Sequence, residues 1–296
     1  MVWLFYAVMA PFIFAFVNIF DKLLRDKHLG TFTLSILVGL SAFWILLIIP
    51  FVDFSFSPAL AVVGLIVGAL FFAGVFPYFQ ALSIEEASRV IPLWALEAPI
   101  VLILAYVFLK ERLLINDYIG FALVVAGAFL ILTRKLGDTL KPGKAFFLML
   151  LASCFTSAAI VISKWLYSET SFWTVQLLLG LGTGLAALLI LQVFATKKRE
   201  FFNEVSALKR LGFLQFGARQ LFFIVGGLVF SLAIMTGSAS LSAALVQLSA
   251  LYVFIMATVL SRFLPHILEE KIDKKTLLTK AAAILMIIAG VFAINL

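Results

Sequence analysis

Charge is what this sequence has least of. Asp, Glu, Lys and Arg make up only 12% of its 296 residues, and 64% are hydrophobic. A soluble domain carries about twice that share of charge, at roughly 25%. A soluble core of this size could not hide so much apolar surface, so lipid must be the solvent for much of it. Cysteine is nearly absent: Cys154 stands alone, which excludes an internal disulfide and a multi-cysteine metal site. The two histidines, His28 and His266, lie in loops with no second ligand near them, so no metal is expected. No glycine-rich phosphate-binding loop occurs, which leaves direct ATP drive unsupported, and no cofactor is implied. Soluble domains and low-complexity linkers are missing too. The net charge of +7 does not point to nucleic acid, because the basic residues lie in short loops between apolar runs.

What remains is ten apolar segments of spanning length. They fall at about Trp3–Phe20, Thr31–Val52, Ala59–Leu82, Ser88–Leu109, Ile115–Thr133, Lys144–Leu166, Phe172–Ala195, Leu211–Met235, Ser240–Phe263 and Thr276–Ile294. The first lacks a basic leader and a clear small-residue cleavage site, so it reads as a retained helix and not a signal peptide. Phe is unusually frequent, at 32 residues, which suits lipid-facing helix surfaces. Between segments seven and eight, Phe201, Phe202, Val205 and Leu208 recur at helical spacing, the pattern of a short helix lying on the membrane surface. The expected fold is therefore an all-α integral membrane bundle of ten transmembrane helices. Loop charge orients it. Of the 22 lysines and arginines, 18 sit in odd-numbered gaps, three (Lys110, Arg112, Lys164) in even ones, and Arg219 inside a segment. The positive-inside rule then puts the odd gaps in the cytoplasm and both termini outside.

The two halves repeat each other. Asp21-Lys22-Leu23-Leu24 resembles Ser163-Lys164-Trp165-Leu166, and Gly39 matches Gly180. Ala81 to Ser88 matches Ala233 to Ser240, Leu93 and Leu96 match Leu245 and Leu248, and Ala126–Phe129 matches Ala289–Phe292. Each match is weak alone, but their order is the same over both halves. A unit of five segments is odd, so the copies, residues 1–135 and 144–296, run oppositely through the membrane. Inverted repeats of this kind typify secondary transporters, with the substrate site near the midplane.

On these residues the chain resembles the drug/metabolite transporter superfamily, in its EamA-like branch. The resemblance is carried by Ala81–Ser88 leading into a helix, by Pro99 within that helix, by the Glu111-Arg112-Leu113 break, and by the helix bearing Gly120 and Gly127. It implies two inverted five-helix repeats around a central cavity, lined chiefly by the first four helices of each half. It also implies transport of small organic solutes such as amino acids, metabolites or drugs, often outward. Three features depart from the family pattern. Leu251 stands where Pro99 would repeat, Glu111 has no clean counterpart, and the loop charges favour external termini where relatives are commonly drawn with internal ones.

Glu97 is the sharpest candidate for function. It lies between Pro92 and Pro99, deep in an apolar run, where an ionised group costs roughly 3 kcal/mol on insertion scales. It should face a cavity or a partner. If protonation and substrate binding compete there, transport is proton-coupled; otherwise Glu97 is a hydrogen-bonded pin between helices. Trp94, three residues earlier, either stacks on substrate or simply packs. Arg219 is the other deep charge, flanked by Gln215 and Gln220. It could hold an anionic substrate, pair with Glu97, or snorkel to the basic face. Asn18, Tyr78, Gln80, Gln176 and Gln247 also sit inside apolar segments and serve either a substrate or a neighbouring helix. Pro77 loosens the helix beside Tyr78 and Gln80. The glycine pairs Gly64/Gly68 and Gly180/Gly184 read as close helix packing. Together these favour a monomeric secondary transporter in the cytoplasmic membrane, working by alternating access. The rival is an integral-membrane enzyme acting on a lipid intermediate, which needs acids, histidines or a nucleophile with its base clustered at the membrane surface. No such pair stands out, and no catalytic residue is expected.

Overall fold

The computed structural model describes residues 2–27, 29–85, 90–132, 143–249, 251–253, 255–256 and 274–293. His28, Glu86, Arg89, His266 and most of the loop before the last segment lie outside them, as do the side chains of Lys22 and Pro92. Among the described residues every regular element is a helix. α1 is Val2–Lys27; α2 is Thr31–Leu40 and tightens into a 3₁₀ winding over Ser41–Phe51; α3 is Pro58–Ile84. A 3₁₀ turn at Ile91–Leu96 leads into α4, Glu97–Leu104, which widens into a π-helical turn at Ala105–Leu109. Then come α5 (Ile115–Leu132), α6 (Lys144–Glu169), α7 (Phe172–Val193), α8 (Ala195–Ser206), α9 (Arg210–Thr236), α10 (Ala239–Leu245) and α11 (Lys274–Ala293). Six of the described helices are long and apolar enough to cross a membrane, and the chain is a multi-pass membrane protein.

Local chemistry sets the ends. Ser57, Ser171 and Ser238 cap α3, α7 and α10, each hydroxyl accepting a backbone N–H from the first turn at 3.0–3.3 Å. The turn after Leu109 closes on Lys110, whose φ of 55° puts it in the left-handed region. The expected surface helix is α8: Phe201 is buried while Phe202 is exposed. α10 is shorter than the apolar run suggests. Its winding breaks at Val246 and Gln247, where Gln247 and Ser249 donate to carbonyls three and not four residues back.

Helix pairing follows small residues. α1 packs on α9, α3 on α6 and α7, α2 on α7, α4 on α6 and α10, and α5 on α11. At the α3–α7 crossing the backbones nearly touch. A Cβ on Gly68 would lie 2.2 Å from the Leu179 carbonyl oxygen, and one on Gly182 would lie 2.2 Å from that of Leu65. Thr183 Oγ1 donates to the Gly68 carbonyl at 2.9 Å across the same seam. Gly182→Ala is expected to destabilise by about 1–3 kcal/mol, since the nearest atom is backbone and cannot step aside. Gly217→Ala, on α9 with nothing within 4 Å, should change stability by less than about 0.5 kcal/mol. Thermal unfolding in detergent reads both, and equal shifts would show that the crossing is not tight.

The phenylalanines are not all on the lipid face. Phe14, Phe16 and Phe20 of α1 meet Phe222, Phe223 and Phe230 of α9, with Phe16 and Phe222 stacked at 4.7 Å. Aromatic stacking supplies much of that seam, so part of the phenylalanine excess is interhelical packing.

A candidate solute cavity between the two halves

A cavity of about 360 Å³ lies inside the bundle. Its wall comes from α1, α2 with its 3₁₀ extension, α3, the Trp94 turn with α4, α6, α7, α9 and the turn after α10; among the described residues α5 and α11 contribute nothing. A volume of this order holds a small organic ligand.

Glu97, at the first turn of α4, is 7% exposed and lines this cavity. Thr156 Oγ1 on α6 donates to Glu97 Oε2 at 2.7 Å, and Ser157 Oγ donates to the Glu97 carbonyl at 3.2 Å. Among the described residues no basic side chain pairs with Glu97. The 3₁₀ turn before α4 has a consequence for its neighbour. In that winding, residues three apart are eclipsed, so Trp94 lies nearly in line with Glu97 along the wall. The Trp94 ring sits 5.2 Å from that of Tyr78, and Gln247 Nε2 donates to the Trp94 carbonyl at 3.4 Å.

Arg219 is 3% exposed and also faces the cavity, so it does not snorkel. Its partner is not Glu97. Nε donates to Asp21 Oδ1 at 2.8 Å and Nη2 to Asp21 Oδ2 at 3.4 Å. Nη1 donates to Gln220 Oε1, and the guanidinium lies 4.8 Å from the centre of the Phe223 ring. The reason is the α1–α9 pairing, which sets Asp21 beside Arg219, whereas Glu97 is held on α6.

Asn18, Tyr78, Trp94, Gln176 and Gln247 line the same space as Glu97 and Arg219. Gln176 Nε2 is half engaged, donating to the Tyr167 hydroxyl at 3.0 Å. Gln80 is the exception: it is exposed and lies outside the cavity wall. Two residues on a helix subtend about 200°, so a Tyr78 that points inward turns Gln80 outward.

Several wall residues escape a reading of apolar runs. Asp21 looks like a loop charge if the first helix stops at Phe20, but α1 continues to Lys27 and carries Asp21 into the wall one turn beyond Asn18. The three-residue spacing from Asn18 was the available signal. Thr156, Ser163 and Tyr167 form a stripe on α6, and only their helical spacing, with Ile160 between, marks it. Ser163 Oγ is buried and has no hydrogen-bond partner among the described residues.

Comparison with known proteins agrees with this architecture. Residues 1–133 match the model of the EamA-like transporter family. An uncharacterized transporter from the cobO 3′ region of Sinorhizobium sp is 40% identical over 72 residues, 24% of this chain and 48% of that relative, so the match spans about half of the relative's length. A solved crystal structure superposes with a TM-score of 0.70 at 14% identity, covering 97% of this chain and 95% of the other. At that identity the likeness is one of fold. Glu97, Trp94, Tyr78 and Asp21 thus stand on the stretch, residues 1–133, that matches the EamA-like transporter family model.

Proposed function

We propose that this chain is a secondary transporter of the drug/metabolite type, moving small organic solutes across the cytoplasmic membrane by alternating access. The observation that carries this reading is the cavity: its ionisable side chains face one shared hollow between the halves.

Two further observations support the inverted-repeat mechanism. Several main helix pairings, though not the α3–α7 crossing, are those expected if α1 to α5 exchange with their counterparts α6, α7, α9, α10 and α11. Under that exchange α1–α9 maps onto α6–α3, while α2–α7, α4–α10 and α5–α11 map onto themselves. The halves are also latched at both ends of the bundle by a carboxylate from one half at a helix N-terminus of the other. At one end Glu111 accepts from Ser238 Oγ and, at 3.4 Å, from the Ser240 N–H at the start of α10. At the other, Glu204 on α8 accepts the Gly30 N–H at the start of α2 at 2.8 Å. Such charge-assisted contacts are favourable at a helix N-terminus and sit where a rocking motion would have to part them.

The enzyme reading is less well supported, because the two acids in the described cavity wall, Glu97 and Asp21, are committed to Thr156 and Arg219. Proteoliposomes loaded with an unlabelled metabolite pool are expected to take up labelled solute by counterflow. Turnover of a lipid precursor in detergent without exchange would favour the enzyme. In a Cys154→Ala background, Leu114→Cys should react with an impermeant maleimide in intact cells and Lys198→Cys only after permeabilisation. The reverse pattern would invert the orientation, and labelling of both from one side would remove the crossing pattern itself.

A further inference from the structure

The described wall of the cavity holds three ionisable acid and base side chains, Asp21, Glu97 and Arg219, and two of them cancel. The Asp21 carboxylate takes two N–H groups along one edge of the Arg219 guanidinium, Gln220 takes a third N–H, and the Phe223 ring lies near the cation. An anionic solute would meet an arginine whose charge is already neutralised, and would also meet Glu97. Glu97 has a hydroxyl partner and no cationic one among the described residues. Its negative charge is the uncompensated one in the hollow. Beside it stands an aromatic wall: Trp94 in line with it, Tyr78 against Trp94, and Phe71 and Phe223 farther round.

We propose that the cavity takes an organic monocation, a protonated amine or ammonium group on an aromatic or apolar body. The positive group seats against Glu97 and the face of Trp94, and the body lies along the aromatic wall. Carboxylate attraction and the ring quadrupole act together on such a group, and neither favours an anion. Ser163 Oγ, buried in the same wall without a partner among the described residues, can accept an ammonium N–H. The assignment builds on the transporter reading for passage across the membrane, but binding can be measured without it.

The test uses the full chain in nanodiscs and two matched series that differ only in charge: tryptamine, tryptophol and indole-3-acetate, and phenethylamine, phenylethanol and phenylacetate. In each series the amine should bind about tenfold or more tighter than the alcohol, the size of one charge-assisted contact. The acid should bind weakest. Glu97→Gln should bring amine and alcohol together, and Glu97→Asp should keep the amine preference. The double variant Asp21→Asn with Arg219→Gln removes the cancelled pair, keeps the net charge of the hollow, and should also keep the preference. Failure of the amine to exceed the alcohol in both series, or loss of the preference in the double variant, overturns the assignment. Counterflow separates this from the transporter reading. An acid that binds best and is exchanged removes the cation site and leaves transport standing; an amine that binds with the expected preference but is not exchanged does the opposite.

Discussion

Glu97→Gln abolishes the response of solute flux to an imposed pH gradient in proteoliposomes, with the gradient-driven rate falling at least about tenfold. The glutamine is nearly isosteric, and its amide oxygen can still accept from Thr156 Oγ1, so the packing of α4 on α6 should survive. What is lost is the ability to hold a proton or a cation in turn. Other ionisable groups line the same cavity, so the prediction must rest on Glu97 in particular. Asp21 and Arg219 are committed to each other. Tyr167 accepts from Gln176, and Tyr78 packs against Trp94 and Phe79. Glu97 is therefore the group whose charge can change without breaking an ion pair. Initial rates of flux with and without a pH gradient check this in wild type and variant. Wild-type rates with unchanged pH dependence would take Glu97 out of the mechanism.

How much of this could be read from the sequence depends on the range of each interaction. Apolar segments, the short helix α8 and the burial of Glu97 within an apolar run are local features, and each was legible. Gly180 and Gly184 were legible as packing residues, and they press against Ile45 and Phe43 of the α2 extension. Periodicity could not give the 3₁₀ winding that aligns Trp94 with Glu97, although Pro92 and Pro99 flagged an irregular helix there. Nor could it give partners. Asp21 and Arg219 lie 198 residues apart, and their pairing exists only because α1 docks on α9. A sequence reading that sees two deep charges, Glu97 and Arg219, naturally joins them; the third charge, Asp21 at the close of the first segment, was the missing piece. Gln80 failed for the opposite reason. It was grouped with Tyr78 by proximity in sequence, where helix geometry separates the two.

The Asp21–Arg219 pair makes the second strong prediction, now on stability. Both side chains are nearly fully buried, so removing one leaves the other charged without compensation. Asp21→Asn and Arg219→Gln should each destabilise by about 3–5 kcal/mol, the usual cost of stranding a buried charge. The double variant should recover most of that loss, because neutral amides of similar size can bond each other and no ion remains to be desolvated. Thermal unfolding of the purified protein in detergent, run on all four members of the cycle, gives the coupling directly. Additive losses would mean that the two groups do not interact. Recovery would mean that the pair contributes little net stability and is held in place by the fold around it. The stacked phenylalanines of α1 and α9 already join these helices, so the seam does not need an ion pair to form. What the pair does is keep a cationic arginine in the cavity wall while cancelling its charge. That leaves the field in the hollow to Glu97, and the same cycle scored for amine preference then tests charge and fold in one set of proteins.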